Sequence, residues 1–139
     1  MGLILDSSVL IAGERRNESI REILLQLRSN HGETDTGISA VTIFEPMHGI
    51  YRAKAQPDRL RRRAFTEDVC RDLVIYPVTV EIAKLAGRVE GEQMARGISL
   101  AFQDLLIGCT ALELNYFLVT LNTRHFERIP GLTVVSPSV

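Results

Sequence analysis

Three carboxylates stand where solubility does not call for them. Asp6 closes the apolar run Leu3-Ile4-Leu5, and Glu45 follows Gly37-Ile38-Ser39 at the start of a helical segment. Asp104 falls in the first turn or so of a segment from about Leu100 to Asn115 that is apolar nearly all round. A carboxylate in such a helix needs something positive beside it, because a buried unpaired charge costs several kcal/mol. Convergent carboxylates with open positions suit Mg²⁺ or Mn²⁺, hard ions that prefer oxygen at about 2.0–2.2 Å and keep several waters. The face around Asp104 is small, with Ala101, Gly108 and Ala111 at i−3, i+4 and i+7, which lets a backbone or a ligand approach closely. Each acid also has a plainer reading. Asp6 could simply cap a helix, Glu45 could be solvated, and Asp104 could answer the positive end of the helix dipole.

The elements that would position these acids alternate. Leu3-Ile4-Leu5 reads as a strand buried on both faces, followed by a helical turn capped by Asp6 or Ser7. Ile20, Ile23, Leu24 and Leu27 follow the i, i+3, i+4, i+7 pattern of an amphipathic helix, capped by Asn17, with Gly32 beyond its end. Gly37-Ile38-Ser39 reads as a brief strand whose serine opens a helix carrying Val41, Phe44, Glu45, His48 and Tyr51. Pro46 predicts a kink or a late start there. Pro57-Asp58 opens another helix ending near Asp72. Leu73 to Tyr76 is a third strand halted by Pro77, Thr79 caps the helix bearing Ile82, Leu85, Ala86 and Val89, and Tyr116 to Thr120 is a fourth strand. Leu132 to Val135 is a weaker fifth. This alternation predicts a three-layer α/β/α fold around a parallel sheet of four to five short strands, with residues 1–139 as one domain. Such sheets take ligands at the carboxyl ends of their strands. Asp6, Ser39 and the Asn122 region belong to that rim, which is what joins three weak signals into one candidate metal site.

Composition narrows the function classes. The 139 residues are 45% apolar and 24% charged, enough for one core and unlike a disordered or collagen-like chain. No apolar run is long enough to span a membrane. The start, Met-Gly-Leu-Ile-Leu-Asp, lacks the basic region of a signal peptide. Cys70 and Cys109 offer no repeated ligand spacing and read as buried reduced thiols, so a cytoplasmic location is expected. No Gly-rich loop ends in Lys-Ser/Thr, no GxGxxG follows the first strand, and no GxSxG marks a nucleophilic serine. Sixteen basic residues against seventeen acidic ones give a net charge of −1, unlike a protein that holds nucleic acid by charge alone. Yet Arg52, Lys54, Arg59, Arg61, Arg62 and Arg63 crowd one stretch whose only carboxylate is Asp58. That stretch reads equally as an RNA-backbone contact and as a solvated helix face.

Four ordered stretches together resemble the PIN-domain ribonucleases of the VapC toxin type. Ile4-Leu5-Asp6-Ser7-Ser8-Val9-Leu10-Ile11-Ala12 is similar to the family's opening acidic motif, and Ile38 to Glu45 resembles its second. Arg96-Gly97-Ile98 with Asp104 to Leu112 resembles the third. Leu118-Val119-Thr120-Leu121-Asn122-Thr123-Arg124-His125-Phe126 with Ile129-Pro130-Gly131-Leu132 resembles the closing one. The resemblance implies a Mg²⁺- or Mn²⁺-dependent endoribonuclease, the toxin of a toxin–antitoxin pair, leaving a 5′-phosphate and a 3′-hydroxyl. It implies Asp6 and Asp104 as metal ligands and Glu45 as the third acid, direct or through water. Ser8 becomes a hydrogen-bond donor beside the pocket, with Thr120 and Asn122 on the opposite edge. Arg59, Arg61, Arg62, Arg63 and Arg124 are candidates for RNA, and a protein antitoxin and a homodimer are the implied partners. The stripe Ile20, Ile23, Leu24 and Leu27 is either the antitoxin's groove or plain core.

The sequence departs from the family pattern in the closing motif. Many members carry a fourth acid there, and here Asn122, Arg124 and His125 take its place. Asn122 reads first as a helix N-cap and His125 first as a surface residue. The departure opens a second function class, a PIN-fold protein-binding module with impaired catalysis. A phospho-receiver domain shares the size and the acidic rim, but Pro77-Val78-Thr79 stands where it would need an acceptor aspartate.

Overall fold

The computed structural model describes residues 1–138. Its order is β1 (Gly2–Leu5), α1 (Ser7–Arg15), α2 (Ile20–His31), β2 (Asp35–Ser39), a 3-10 turn (Ala40–Ile43), α3 (Phe44–Arg52), α4 (Gln56–Asp72), β3 (Val74–Tyr76), α5 (Val80–Ala95), α6 (Phe102–Leu114), β4 (Phe117–Val119), α7 (Thr123–Phe126) and β5 (Val134–Val135). The five strands form one sheet in the order β3-β2-β1-β4-β5, and every pairing is parallel.

Side-chain alternation along these strands divides the core in two. Ile4 and Leu118 join Leu105, Ile107, Ile82, Val89 and Phe126 on the α5–α6 side. Leu3, Leu5 and Val119 join Val9, Leu10, Ile23, Leu27 and Val69 on the other. Both faces of β1 are therefore covered, which is why its sequence is apolar without alternation. Fully burying one such side chain contributes about 1.5–3 kcal/mol. β1 lies at the middle of the sheet, and the chain winds away from it in opposite directions, to β2 on one side and β4 on the other. The crevice at the carboxyl ends of β1 and β4 is the place where a doubly wound sheet takes a ligand.

Several local expectations are met and others corrected. Pro57 sits in the first turn of α4, and Thr79 caps α5 by accepting the Ile82 N–H. Pro46 falls in the first turn of α3, whose regular hydrogen bonding begins only after the 3-10 turn. There the missing N–H has no helical partner to lose. The cap of α2 is Ser19 rather than Asn17: its Oγ accepts the Glu22 N–H at 3.1 Å, and Glu22 answers from its side chain. Asn17 instead adopts a left-handed φ of 59° in the turn before it. Cys70 is exposed, so only Cys109 is the buried thiol the sequence suggested. Burial pushes that thiol up to about 11. Of the α2 stripe, Ile20, Ile23 and Leu27 are buried core residues, with Ile23 and Leu27 at the floor of a cavity of about 270 Å³. No helix among the described residues is long and apolar enough to cross a membrane.

Candidate active site

Asp6 is the most constrained of the three acids. It occupies the N-cap position of α1, but its carboxylate makes no capping bond. Oδ2 instead accepts the Ser8 hydroxyl at 2.8 Å and the Thr120 hydroxyl at 2.9 Å. Ser8 Oγ in turn accepts the Leu121 N–H at 3.1 Å, and Thr120 Oγ1 accepts the Asn122 N–H at 2.9 Å. Each hydroxyl has one proton, and both protons go to Asp6. The 3.3 Å approach of Ser8 to Thr120 is therefore a contact between acceptors. The Asp6 N–H meanwhile donates to Val119 O at 2.9 Å. This circuit fixes the carboxylate, only 3% exposed, at the junction of β1 and β4. Oδ1 accepts no hydrogen bond among the described residues, so it is the oxygen left for a ligand.

Asp104, in the first turn of α6, is about half sheltered, with Glu45 in the first turn of α3 on another side. Burial pushes the Asp104 carboxyl up, and the charge of Asp6 pushes it further; the facing His125 opposes the shift, and Glu45 adds to it. Three negative groups thus bear on one another. Their one basic neighbour within ion-pair distance, among the described residues, is His125, whose Nδ1 is 3.6 Å from Asp104 Oδ2. No group of three Asp, Glu, His or Cys side chains among the described residues is gathered closely enough to hold a metal ion. An open oxygen set completed by water is the donor set that suits Mg²⁺ or Mn²⁺, which rarely occupy closed protein cages. Carboxylate oxygen is the donor chemistry such an ion takes, although as placed here these side chains do not form a three-ligand group.

The remaining expected residues divide. Ser8 and Thr120 act on Asp6 as described. Asn122 is exposed at the N-cap position of α7, and its side chain makes no capping bond; its contribution is the backbone N–H that orients Thr120. The small face of α6 is filled by side chains at Gly108, while Ala101 is exposed. At Gly108 a Cβ would strike Ile129, with Leu132 and Phe126 close by, so side chains from α7 and the following turn fill it. That packing brings His125 beside Asp104, a contact the sequence reading missed. The only signal for it was a basic residue three positions after Asn122.

Three of the six residues of the basic stretch are engaged within the fold. Arg59 Nε donates to Ala53 O and Arg62 to Gly49 O, both at 2.6 Å, holding α4 against the end of α3. Arg61 pairs with Glu14 at 3.5 Å and Asp58 at 3.2 Å. Arg63 and Arg124 are exposed. Arg61 and Arg62 line a groove of about 580 Å³ between α1, α3 and α4 that also reaches Glu45 and Arg52. The groove thus runs up to the acidic site.

Comparison with known proteins agrees with this geometry. The PIN domain family model matches residues 3–132. Ribonuclease VapC1 of Rickettsia felis is 33% identical over 138 residues, covering 99% of this chain and 98% of that protein. Among solved structures, DNA-bound VapBC from Salmonella typhimurium superposes with a TM-score of 0.84 at 22% identity, covering 99% of this chain and 98% of the other. VapBC-5 from Mycobacterium tuberculosis, a member of the VapBC family of toxin-antitoxin systems, superposes with a TM-score of 0.72 at 22% identity over the full length of both chains. A parallel sheet wound outward from β1, acids at its carboxyl rim and full-length similarity to VapC ribonucleases lead to one statement: the chain belongs to the PIN-domain family, alongside the VapC ribonucleases.

Proposed function

We propose that this protein is a divalent-metal-dependent endoribonuclease and the toxin of a toxin–antitoxin pair. The observation that carries the reading is the Asp6 circuit. A buried carboxylate is held by two hydroxyls on one oxygen while the other accepts no hydrogen bond among the described residues, and the charges of both Asp6 and Glu45 act on Asp104. A structural aspartate at this position would cap α1, and this one does not. In this reading Asp6 and Asp104 hold a Mg²⁺ or Mn²⁺ ion, with Glu45 direct or through water. Bound there, such an ion acts as a Lewis acid toward the phosphodiester and lowers the pKa of water.

The chain's own residues do the rest. Ser8 and Thr120 lock the orientation of Asp6, so its reactive geometry is set before any ligand arrives. Glu45 is half-buried and lines the α1–α3–α4 groove, which supports its reading as the third acid, direct or through water. Exposed Arg63 and Arg124 are candidates for phosphate contacts, each adding salt-dependent affinity. The names of the relatives support RNA as substrate and a protein antitoxin as partner. Homodimerisation is part of the same proposal.

The test is cleavage of bulk cellular RNA by purified, antitoxin-free protein. Cleavage with Mg²⁺ or Mn²⁺, its loss with EDTA, and its loss in Asp6→Asn are expected. Cleavage that survives EDTA, or survives in Asp6→Asn, would overturn the mechanism; no cleavage by the intact protein under any ion would favour the binding-module alternative.

A further inference from the structure

The groove between α1, α3 and α4 carries more positive charge than the chain around it. Four arginines line it, Arg15, Arg52, Arg61 and Arg62, against two carboxylates, Glu14 and Glu45, in a protein whose net charge is −1. Glu14 is engaged by Arg61 at 3.5 Å. No carboxylate among the described residues lies within ion-pair distance of Arg15, Arg52 or Arg62, and Arg15 and Arg52 are exposed.

Gly49 shows how these cations are gathered. A Cβ at that position would meet nothing closer than Nη1 of Arg62 at 3.8 Å and Nη2 of Arg52 at 4.0 Å, so two guanidinium groups stand over one point of α3. Arg62 Nη1 is tied there by Gly49 O. Like charges this close repel, and an anion seated between them relieves the repulsion. Beside them the wall is apolar, with Leu10, Ile11 and Phe65. Guanidinium groups for phosphate, next to an apolar and aromatic surface for a base, are what unpaired RNA requires.

We propose that this groove seats the single-stranded RNA that flanks the cleaved bond, with Arg52 and Arg15 contacting its phosphates and the wall at Phe65 receiving a base. The inference rests on the ribonuclease reading and adds to it the path of the strand and its unpaired state. A strand presenting a phosphodiester to Asp6, Glu45 and Asp104 must continue away from the acids. The groove is lined by one of those acids and by the arginines that no carboxylate neutralises, so its charge complements a polyanion. Its volume of about 580 Å³ suits a ligand of a nucleotide or two, and a duplex would keep its bases turned inward, out of reach of the wall.

The experiment reads binding without cleavage: fluorescence anisotropy of a labelled oligouridylate with the full chain in EDTA, at stepped salt. The intact protein is expected to bind the single strand about fivefold or more tighter than the same strand paired with oligoadenylate. Arg52→Ala and Arg15→Ala should each weaken binding about fivefold at low salt and lower the salt slope by about 0.7. Arg52→Lys keeps the charge and should retain most of the affinity. Gly49→Leu fills the groove with charge unchanged and should weaken binding at least as much as Arg52→Ala. Arg88→Ala removes an exposed charge on α5, outside the groove, and should bind as the intact chain does. Circular dichroism checks that each variant folds, and in cleavage assays the groove variants should raise KM and keep kcat. Unchanged affinity and slope in the double variant Arg15→Ala/Arg52→Ala, equal affinity for the duplex, or no binding by the intact chain would overturn the proposal. So would a Gly49→Leu chain that binds RNA normally but loses its dimer or a co-expressed antitoxin, because the groove would then seat a protein. The expected binding pattern in a chain that cleaves no RNA under any ion would overturn the ribonuclease reading and leave the groove standing.

Discussion

The Thr120 hydroxyl donates to Asp6 Oδ2 at 2.9 Å across 114 residues of sequence, joining the ends of two neighbouring parallel strands through one buried acid. A hydrogen bond to a charged group contributes about 1.5–3 kcal/mol, and leaving a buried carboxylate short of a donor costs a comparable amount. Thr120→Val preserves shape and removes the donor. It should lower unfolding free energy by about 1–3 kcal/mol and reduce RNA cleavage. Thr120→Ser should retain most of both. Urea denaturation with parallel cleavage assays separates them; equal stability of Thr120→Val and the native chain would remove the circuit as a stabilising device.

Asp104 carries a pH signature. Its folded carboxyl is raised above the ordinary aspartate value by burial and by Asp6, so between the unfolded and folded values the native state binds more protons. Stability then falls as pH rises through that window, which opens near the ordinary value of about 3.9 and closes at the raised folded value. With EDTA present, the melting temperature of the native chain should drop relative to Asp104→Asn across this window, and the gap should be constant above it. Saturating Mn²⁺ binds the ionised form and should close or invert the gap. Calorimetry at stepped pH checks both signs; a native chain that gains on Asp104→Asn as pH rises in EDTA would contradict the raised value.

Gly108 tests how the closing motif is docked. A Cβ there collides with the Ile129 side chain, so Gly108→Ala should destabilise by about 1–3 kcal/mol as an overpacked core does. Gly87, where a Cβ would meet nothing within 4 Å, is the control. Gly87→Ala should be neutral or slightly stabilising, because alanine is the better helix former.

The arginines of α4 should separate by role. Arg62 is half-buried and bonded to Gly49 O, so Arg62→Ala should cost about 1–3 kcal/mol of stability. Arg63 is exposed, and Arg63→Ala should stay within about 0.5 kcal/mol. If Arg63 contacts RNA backbone, its loss should raise KM for RNA at low salt and matter less as salt increases. Denaturation curves and salt-dependent kinetics read the two effects independently.

The sequence by itself determined the alternation of elements, because strands buried on both faces must be apolar throughout and helices must carry a stripe of period 3.6. It also determined which acids lie at the rim, since each follows a strand or opens a helix directly. Local chemistry misled at the start of α2, where Asn17 is the expected cap: Ser19 caps instead, in a capping box with Glu22. What tertiary structure alone decided were relations across long separations. Ser8 and Thr120 both give their protons to Asp6, three of the basic-stretch arginines bind the fold itself, and His125 faces Asp104 because Gly108 admits Ile129. None of these is a periodic or local property. Each depends on how closely two elements approach, and that distance is set by the packing of side chains between them.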